Sequence, residues 1–361
     1  MPIIGRGGVV AHEISAPGMG SGGTPTEDWV RPADWITLPT LVDGDEKVVG
    51  VYAVYNHDSN FVAFRCSGAY TVDWGDGGAP EDVAANTTAE HCYDSDDYAA
   101  LGAGTDCSRG YRQALITITP QAGQSLTAVS LNYKHSQSGL NTYRSQWLDI
   151  SVAGGNITSL AVGGTVGWLA MLEQFTFVGT VSAGLTTTTG MFNGCYSLQS
   201  VPLFDTGSVQ NMSFMFNGCY SLQSVPLFDT GSVQNMSFMF NDCRSLQSVP
   251  LFDTADVASM GNMFNNCYSL QSVPLFDTAD VTSTGNMFNG CVSLGAAPLQ
   301  GTVIDHSFAG CKLARDELVA IFQGLGTVTG KTITITGNWG VPYLSAADKA
   351  IATDKGWTIA E

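Results

Sequence analysis

The chain reads as mainly β with short helices: an N-terminal β-sandwich, then a solenoid of short repeats, then an α/β C-terminal cap. Three observations lead there. Apolar residues alternate in short runs bounded by turn residues between residues 36 and 120. From residue 191 a 24-residue unit recurs, and residues 191–214 and 215–238 are identical letter for letter. After the last unit come two helical patterns and two strand patterns.

Composition narrows the function. Of 361 residues, 44 % are hydrophobic, a globular share, and only 13 % are charged. The net charge is −18, with 14 basic residues against 32 acidic ones. No basic stripe is available to displace the counterions of a phosphate backbone, so nucleic acid is not an expected partner. An anionic membrane surface is disfavoured for the same reason. No apolar run approaches the roughly 20 residues of a membrane-spanning helix, so no membrane insertion is expected. The start, MPIIGRGGVVAHEISAPGMG, has no basic region followed by an apolar core, so no secretory signal is expected there.

Residues 1–35 form a Gly- and Pro-rich arm that ends in EDWVRPADW. Trp29 and Trp35 are its candidate attachment residues; capping of the following domain is the other reading of the same tryptophans. Residues 36–122 hold the strand patterns KVVGVYAVY, NFVAFRCSG, AYTVDWGDG and QALITITP. Residues 123–311 form the solenoid. Its first part, with LTAVSLNY, WLDISVAGG, ITSLAVGG and LEQFTFVGT, is irregular, and the regular repeats span 191–306. A unit of this kind cannot bury its apolar face alone and must stack on its neighbours.

Within one unit, Leu198-x-x-Val201-x-Leu203 reads as a short strand. Asp205-Thr206-Gly207-Ser208 reads as a turn. Val209, Met212, Phe216 and Cys219 then recur at helical spacing, a return path with one buried face. Gly194 and its counterparts Gly218, Asp242, Asn266 and Gly290 suit a left-handed turn position. Pro202, Pro226, Pro250, Pro274 and Pro298 fall inside the proposed strand, where each removes a ladder donor.

Several columns follow from stacking. Cys195, Cys219, Cys243, Cys267, Cys291 and Cys311 are packing residues rather than zinc ligands, because one thiol per repeat with no histidine beside it offers no tetrahedral set. Cys66, Cys92 and Cys107 lie outside the column, and a disulfide among them is left open by the sequence. Asp205, Asp229, Asp253 and Asp277 read first as turn caps; stacked carboxylates are also a calcium pattern, the weaker reading, and otherwise no cofactor or metal is expected. Phe204, Phe228, Phe252 and Phe276 would line the outer strand face as a binding ladder, unless a one-residue slip in phase turns them inward. Tyr196, Tyr220 and Tyr268, at a position that also holds Arg244 and Val292, are the solvent-facing binding candidates.

Residues 312–361 form the cap. LARDELVAIFQGLG places Leu318, Ile321, Phe322 and Leu325 at helical spacing, and KTITITGN is a strand. SAADKAIATDKG is a helix with Ser345 as N-cap and Asp348 three residues on, and WTIAE is a last strand. The chain carries none of the G-x-S-x-G, P-loop, H-E-x-x-H or Rossmann glycine phrases, so no enzyme activity is expected.

Three resemblances sharpen these expectations. Trp74-Gly75-Asp76-Gly77, then His91 and Tyr93, then Leu115–Thr119 resemble the signature of PKD-like β-sandwiches. The unit M-F-N-G-C-Y-S-L-Q-S-V-P-L-F-D-T-x-x-V-x-x-M resembles the BspA-like leucine-rich repeats of bacterial surface proteins over residues 191–311. The whole arrangement, with R-P-A-D-W near the start and LSAADKAIATDKGWTI near the end, also looks like tailed-phage virion proteins. That last resemblance implies a tail fibre, spike or decoration component assembled in the host cytoplasm. Its arm would attach to other virion proteins, its solenoid would face host glycan or protein, and it would form a homo-oligomer. The alternative is a bacterial cell-surface adhesin; a glycan-degrading tailspike ranks below both.

Overall fold

The computed structural model describes residues 30–361 apart from 59, 138–142, 165–166, 169–170 and 180–183. Pro32–Glu361 forms one compact unit. Its first part holds strands β1 (Lys47–Val54), β2 (Asn60–Cys66), β3 (Tyr70–Asp73), β4 (Glu81–Val83) and β5 (Thr88–Tyr93), helix α1 (Ser95–Leu101) and strand β6 (Arg112–Pro120). Then come β7 (Ala128–Ser130), β8 (Tyr143–Arg144), β9 (Trp147–Ala153), β10 (Ser159–Ala161), β11 (Gly167–Trp168) and β12 (Gln174–Val178).

Two sheets dominate this part, with orders β12-β9-β1-β6-β3-β4 and β10-β7-β2-β5. They pack through aromatic side chains: Tyr52 of β1 stacks on Tyr93 of β5 at 5.8 Å, and Phe64 of β2 lies 6.4 Å from Trp147 of β9. Strand β1 is buried along nearly its whole length because β6 and β9 flank it, the second sheet covers one face, and on the other face Val49 packs with Leu38 and Leu41. The larger sheet runs across residue 122. Strand β9 pairs antiparallel with β1, and β12 pairs parallel with β9, so the sheet passes directly into the first coils.

The WGDG phrase closes a corner of this body. Tyr93 donates its hydroxyl hydrogen to the Trp74 carbonyl at 2.5 Å, and His91 stacks on Trp74 at 4.9 Å with Nε2 3.3 Å from the Asp76 carboxylate. Gly75 has φ +74°, and a Cβ there would meet the Leu115 carbonyl oxygen at 2.5 Å. Only glycine satisfies both constraints.

In the repeats, the coil-to-coil ladder lies elsewhere than expected. Among the described residues, the V-P-L-F phrase pairs as a strand only at the end of the array, where β13 (Phe276–Asp277) meets β14 (Leu299–Gln300) in parallel. The prolines remove the donors such a ladder needs. Instead the return path carries it: the N–H groups of Met212, Phe214, Phe216 and Gly218 donate to the carbonyls of Asn235, Ser237, Met239 and Asn241 at 2.8–3.0 Å. The intervening N–H groups of Met215, Asn217 and Cys219 bond within their own coil, to Met212, Phe214 and Phe216. Every second donor thus points to the next coil, and the rest close tight turns, so the return path is no α-helix. The alternation uses left-handed residues at two positions per coil. One is the expected one, with φ between 59° and 79° at Gly194, Gly218, Asp242, Asn266 and Gly290.

The core of the array is a set of columns. Phe192, Phe216, Phe240, Phe264, Phe288 and Phe308 stack with centroids 5.2–5.7 Å apart. Met215, Met239, Met263, Leu222, Leu246 and Leu270 are fully buried beside them. Burying one such side chain stabilises by about 1.5–3 kcal/mol, so each coil adds its own increment. The array closes with β15 (His306–Ser307), α2 (Arg315–Gly324), β16 (Lys331–Thr334), α3 (Ala346–Thr353) and β17 (Trp357–Ala360), the three strands forming one parallel sheet. Helix α3 starts with the capping box foreseen at Ser345 and Asp348, and Leu318, Ile321 and Phe322 bury one face of α2. Among the described residues, no helix is long and apolar enough to cross a membrane.

Candidate binding face of the repeats

The phenylalanines expected on the outer face turn inward. Phe204, Phe228, Phe252 and Phe276 are at most 6 % exposed, and each packs against a neighbouring core ring, as Phe228 does on Phe216 at 6.2 Å. The phase is slipped by one residue: Leu203, Leu227, Leu251 and Leu275 point outward instead, 49–62 % exposed. Without a sheet to hold strand alternation, the proline-kinked segment turns its larger ring into the core and leaves the smaller leucine outside.

The tyrosine position does form an outward column. Tyr196 and Tyr220 stack at 4.5 Å and 15°, and the Arg244 guanidinium lies over the Tyr220 ring at 4.0 Å and 5.9 Å from Tyr268. Asp242 pairs with Arg244 at 3.4 Å. Tyr268 is 42 % exposed and Val292 follows in the next coil. Flat rings and a guanidinium, held in line by their neighbours, make a contact surface with little side-chain entropy to lose on binding.

The aspartates serve the turns. Asp205, Asp229, Asp253 and Asp277 each accept from the backbone N–H two residues on, at 3.0–3.1 Å. This is the Asx-turn geometry that Asp favours. Beside them, Thr206, Thr230 and Thr254 donate to the carbonyl of the aspartate in the next coil at 2.8–2.9 Å. Among the described residues, no group of three or more His, Cys, Asp or Glu side chains is placed to hold a metal ion.

The cysteines form a thiol ladder. Cys219, Cys243, Cys267 and Cys291 donate to the carbonyls of Phe192, Phe216, Phe240 and Phe264 in the preceding coil, at 3.0–3.2 Å. Burial pushes these thiols well above their ordinary pKa. All nine cysteines are free, including Cys66, Cys92 and Cys107.

Two further columns escaped the sequence reading. Asn193, Asn217 and Asn241 are linked by their side-chain amides, Asn241 Nδ2 to Asn217 Oδ1 at 2.6 Å and Asn217 Nδ2 to Asn193 Oδ1 at 2.8 Å. The signal was present, since each M-F-N phrase carries an asparagine at that place. The second column is Phe214 and Phe238, with rings stacked at 4.6 Å and 7°. Both have left-handed backbone, φ 58° and 57°, where other coils place Gly190, Asn262 and Asn286 at φ 63°, 55° and 56°. A phenylalanine there costs about 1–2 kcal/mol that glycine avoids. Phe214 is also 37 % exposed, so core burial does not offset that cost.

Of the proposed attachment residues, Trp29 lies outside the described residues. Trp35 is not presented for attachment: it is 3 % exposed, and its indole N–H donates to the Tyr111 hydroxyl at 3.1 Å under the Arg109 guanidinium. Asp34 accepts from the Ser108 N–H at 2.7 Å, and the Ile36 N–H donates to Gln113 Oε1 at 2.8 Å. The Asp34–Trp35 part of the R-P-A-D-W phrase therefore docks on the chain's own sheets.

A protein-family model described as "Mycoplasma protein of unknown function, DUF285" matches residues 186–299. No curated protein matches the chain. The matched segment coincides with the regular repeats, and with the solenoid it fits the BspA-like repeat resemblance.

Proposed function

We propose that the chain is a non-enzymatic repeat protein of a bacterial cell surface, whose solenoid binds a partner through its outward side chains and needs no cofactor to do so. The observation that carries this reading is the Tyr196–Tyr220–Arg244–Tyr268 column, an ordered aromatic and guanidinium surface along successive coils. Tyr and Arg dominate the energetics of protein contacts. The family match over the repeats favours this reading over a particle-borne one. The test compares the intact protein with a Tyr220→Ala/Arg244→Ala double variant, immobilised and exposed to host-cell surface and matrix proteins, alongside fractionation of producing cells. Binding should weaken at least about ten-fold in the variant at unchanged melting midpoint, since ten-fold corresponds to only 1.4 kcal/mol. Equal binding by both proteins, or recovery only from the cell interior, would refute it.

The virion role is the second reading, motivated by the phrases near the two ends of the chain. In that case the part of the 1–35 arm that precedes the docked Pro32–Trp35 segment attaches to other virion proteins, and the PKD-like sandwich spaces the solenoid from the particle. Deleting residues 1–29, which leaves the buried Trp35 and its contacts in place, should then abolish incorporation into particles; unchanged incorporation would end it.

A further inference from the structure

The asparagine column is polarised, and it stops. Its direction runs from Asn241 through Asn217 to Asn193, whose Oδ1 is an acceptor and whose Nδ2 is next in line to donate. Among the described residues, the coil below receives no hydrogen bond from it. There the N–H groups of Val162 and Gly164 donate to the carbonyls of Met191 and Asn193, just as those of Phe192 and Gly194 donate to Met215 and Asn217. This pairing puts Gly163 where an asparagine would stand. A Cβ at Gly163 would lie 2.3 Å from the Asn193 carbonyl oxygen, so no side chain fits. Among the described residues, the Asn193 amide nitrogen is left without an acceptor.

A hollow of about 490 Å³ opens at that point. Gly163, Gly164, Gly190, Thr189, Asn193 and Phe214 are among the residues that line it. Phe214 is the aromatic that occupies a left-handed position where Gly190, Asn262 and Asn286 serve in other coils. The molecule thus places a partly exposed aromatic residue, an asparagine with an available amide donor and three glycines around one space.

We propose that this hollow binds a neutral pyranose, as one or two rings of a glycan. The apolar C–H face of the sugar lies on the Phe214 ring, and a sugar hydroxyl accepts from Asn193 Nδ2. The volume falls within the usual range for small-molecule sites. Among the described residues, no Lys, Arg, Asp or Glu lines it, so a charged sugar finds no counter-ion. An apolar side chain from a peptide would fill the space but leave the Asn193 amide desolvated and unpaired. The site is separate from the tyrosine and arginine column and does not rest on that column's role.

The test is saturation-transfer NMR on the full chain, with methyl glycosides of glucose, galactose, mannose and N-acetylglucosamine and with maltose, cellobiose and lactose. Three proteins are compared: wild type, Phe214→Asn and Tyr220→Ala. Phe214→Asn should fold with an equal or higher melting midpoint, because Asn262 and Asn286 already adopt that backbone. The expected result is transfer to ring C–H protons of at least one probe, kept in Tyr220→Ala and reduced about ten-fold in Phe214→Asn, the loss of one aromatic contact. No transfer to any probe in wild type overturns the proposal. So does equal transfer in Phe214→Asn, or a melting midpoint several degrees lower in that variant, which would make Phe214 a packing residue. Loss in Tyr220→Ala alone would move sugar binding to the tyrosine column and refute the hollow, leaving the surface-binding reading intact.

Discussion

His306 should make the solenoid acid-sensitive. It sits in β15, 4 % exposed, between Phe308 at 4.7 Å and Phe288 at 5.8 Å, and neither ring nitrogen has a hydrogen-bond partner. Burial alone lowers its pKa from 6.5 to about 4. In the unfolded chain the imidazole takes up a proton below its ordinary value, while the folded chain resists until about 4. The unfolded state therefore binds more protons across that window, and stability falls as pH drops through it. At about 1.4 kcal/mol per pH unit, the gap amounts to about 3 kcal/mol, most of it lost by pH 4.5. The assay is urea unfolding of wild type and His306→Leu at pH 7.5 and 4.5, followed by tryptophan fluorescence. Other groups, including His91 and His135, which burial also holds low, titrate in both proteins, so the difference isolates His306. His306→Leu should lose about 2–3 kcal/mol less than wild type over the interval. It should also be no less stable at pH 7.5, since two unpartnered buried nitrogens are removed. Equal losses in the two proteins would refute the argument.

Two further outcomes are expected. In native protein, a thiol reagent should modify Cys92 first, because it alone of the nine cysteines is not buried, and the six buried cysteines of the repeat column should react only in denaturant; early labelling of Cys219 or Cys243 by mass spectrometry would contradict the thiol ladder. Deleting residues 215–238 rejoins identical sequence and identical coil contacts, so the shortened chain should fold with a melting midpoint within about 5 °C of wild type; loss of cooperative unfolding by circular dichroism would show that the coils are not interchangeable.

Much of the architecture was legible because it is local. The 24-residue step, the buried Met212, Phe216 and Cys219, the left-handed place at Gly218 and the Ser345–Asp348 capping box all follow from spacing and side-chain chemistry. The ladder was misplaced because the L-x-x-V-x-L phrase has strand-like spacing, whereas hydrogen-bond supply decides where pairing occurs. Pro226 removes a donor, so the ladder forms where alternate N–H groups are free to point outward. That error carried the phenylalanine face with it, and Leu227 took the exposed place assigned to Phe228. The insertion of β9 beside β1 was not legible either, since period-2 alternation identifies faces and not partners.

The same logic locates the candidate sites at departures from the repeat rather than in it. A position filled identically in every coil, such as Phe216 or Cys219, is explained by stacking on its own counterparts. It therefore carries no information about a ligand. A position that varies without structural need does carry it. Arg244 interrupts a run of tyrosines yet keeps their ring contacts, and Phe214 takes a backbone conformation that asparagine or glycine holds at lower cost. Gly163 ends the amide column and opens the hollow. Exact duplication of residues 191–214 lengthens the scaffold; these three breaks in its regularity give the surface chemical identity.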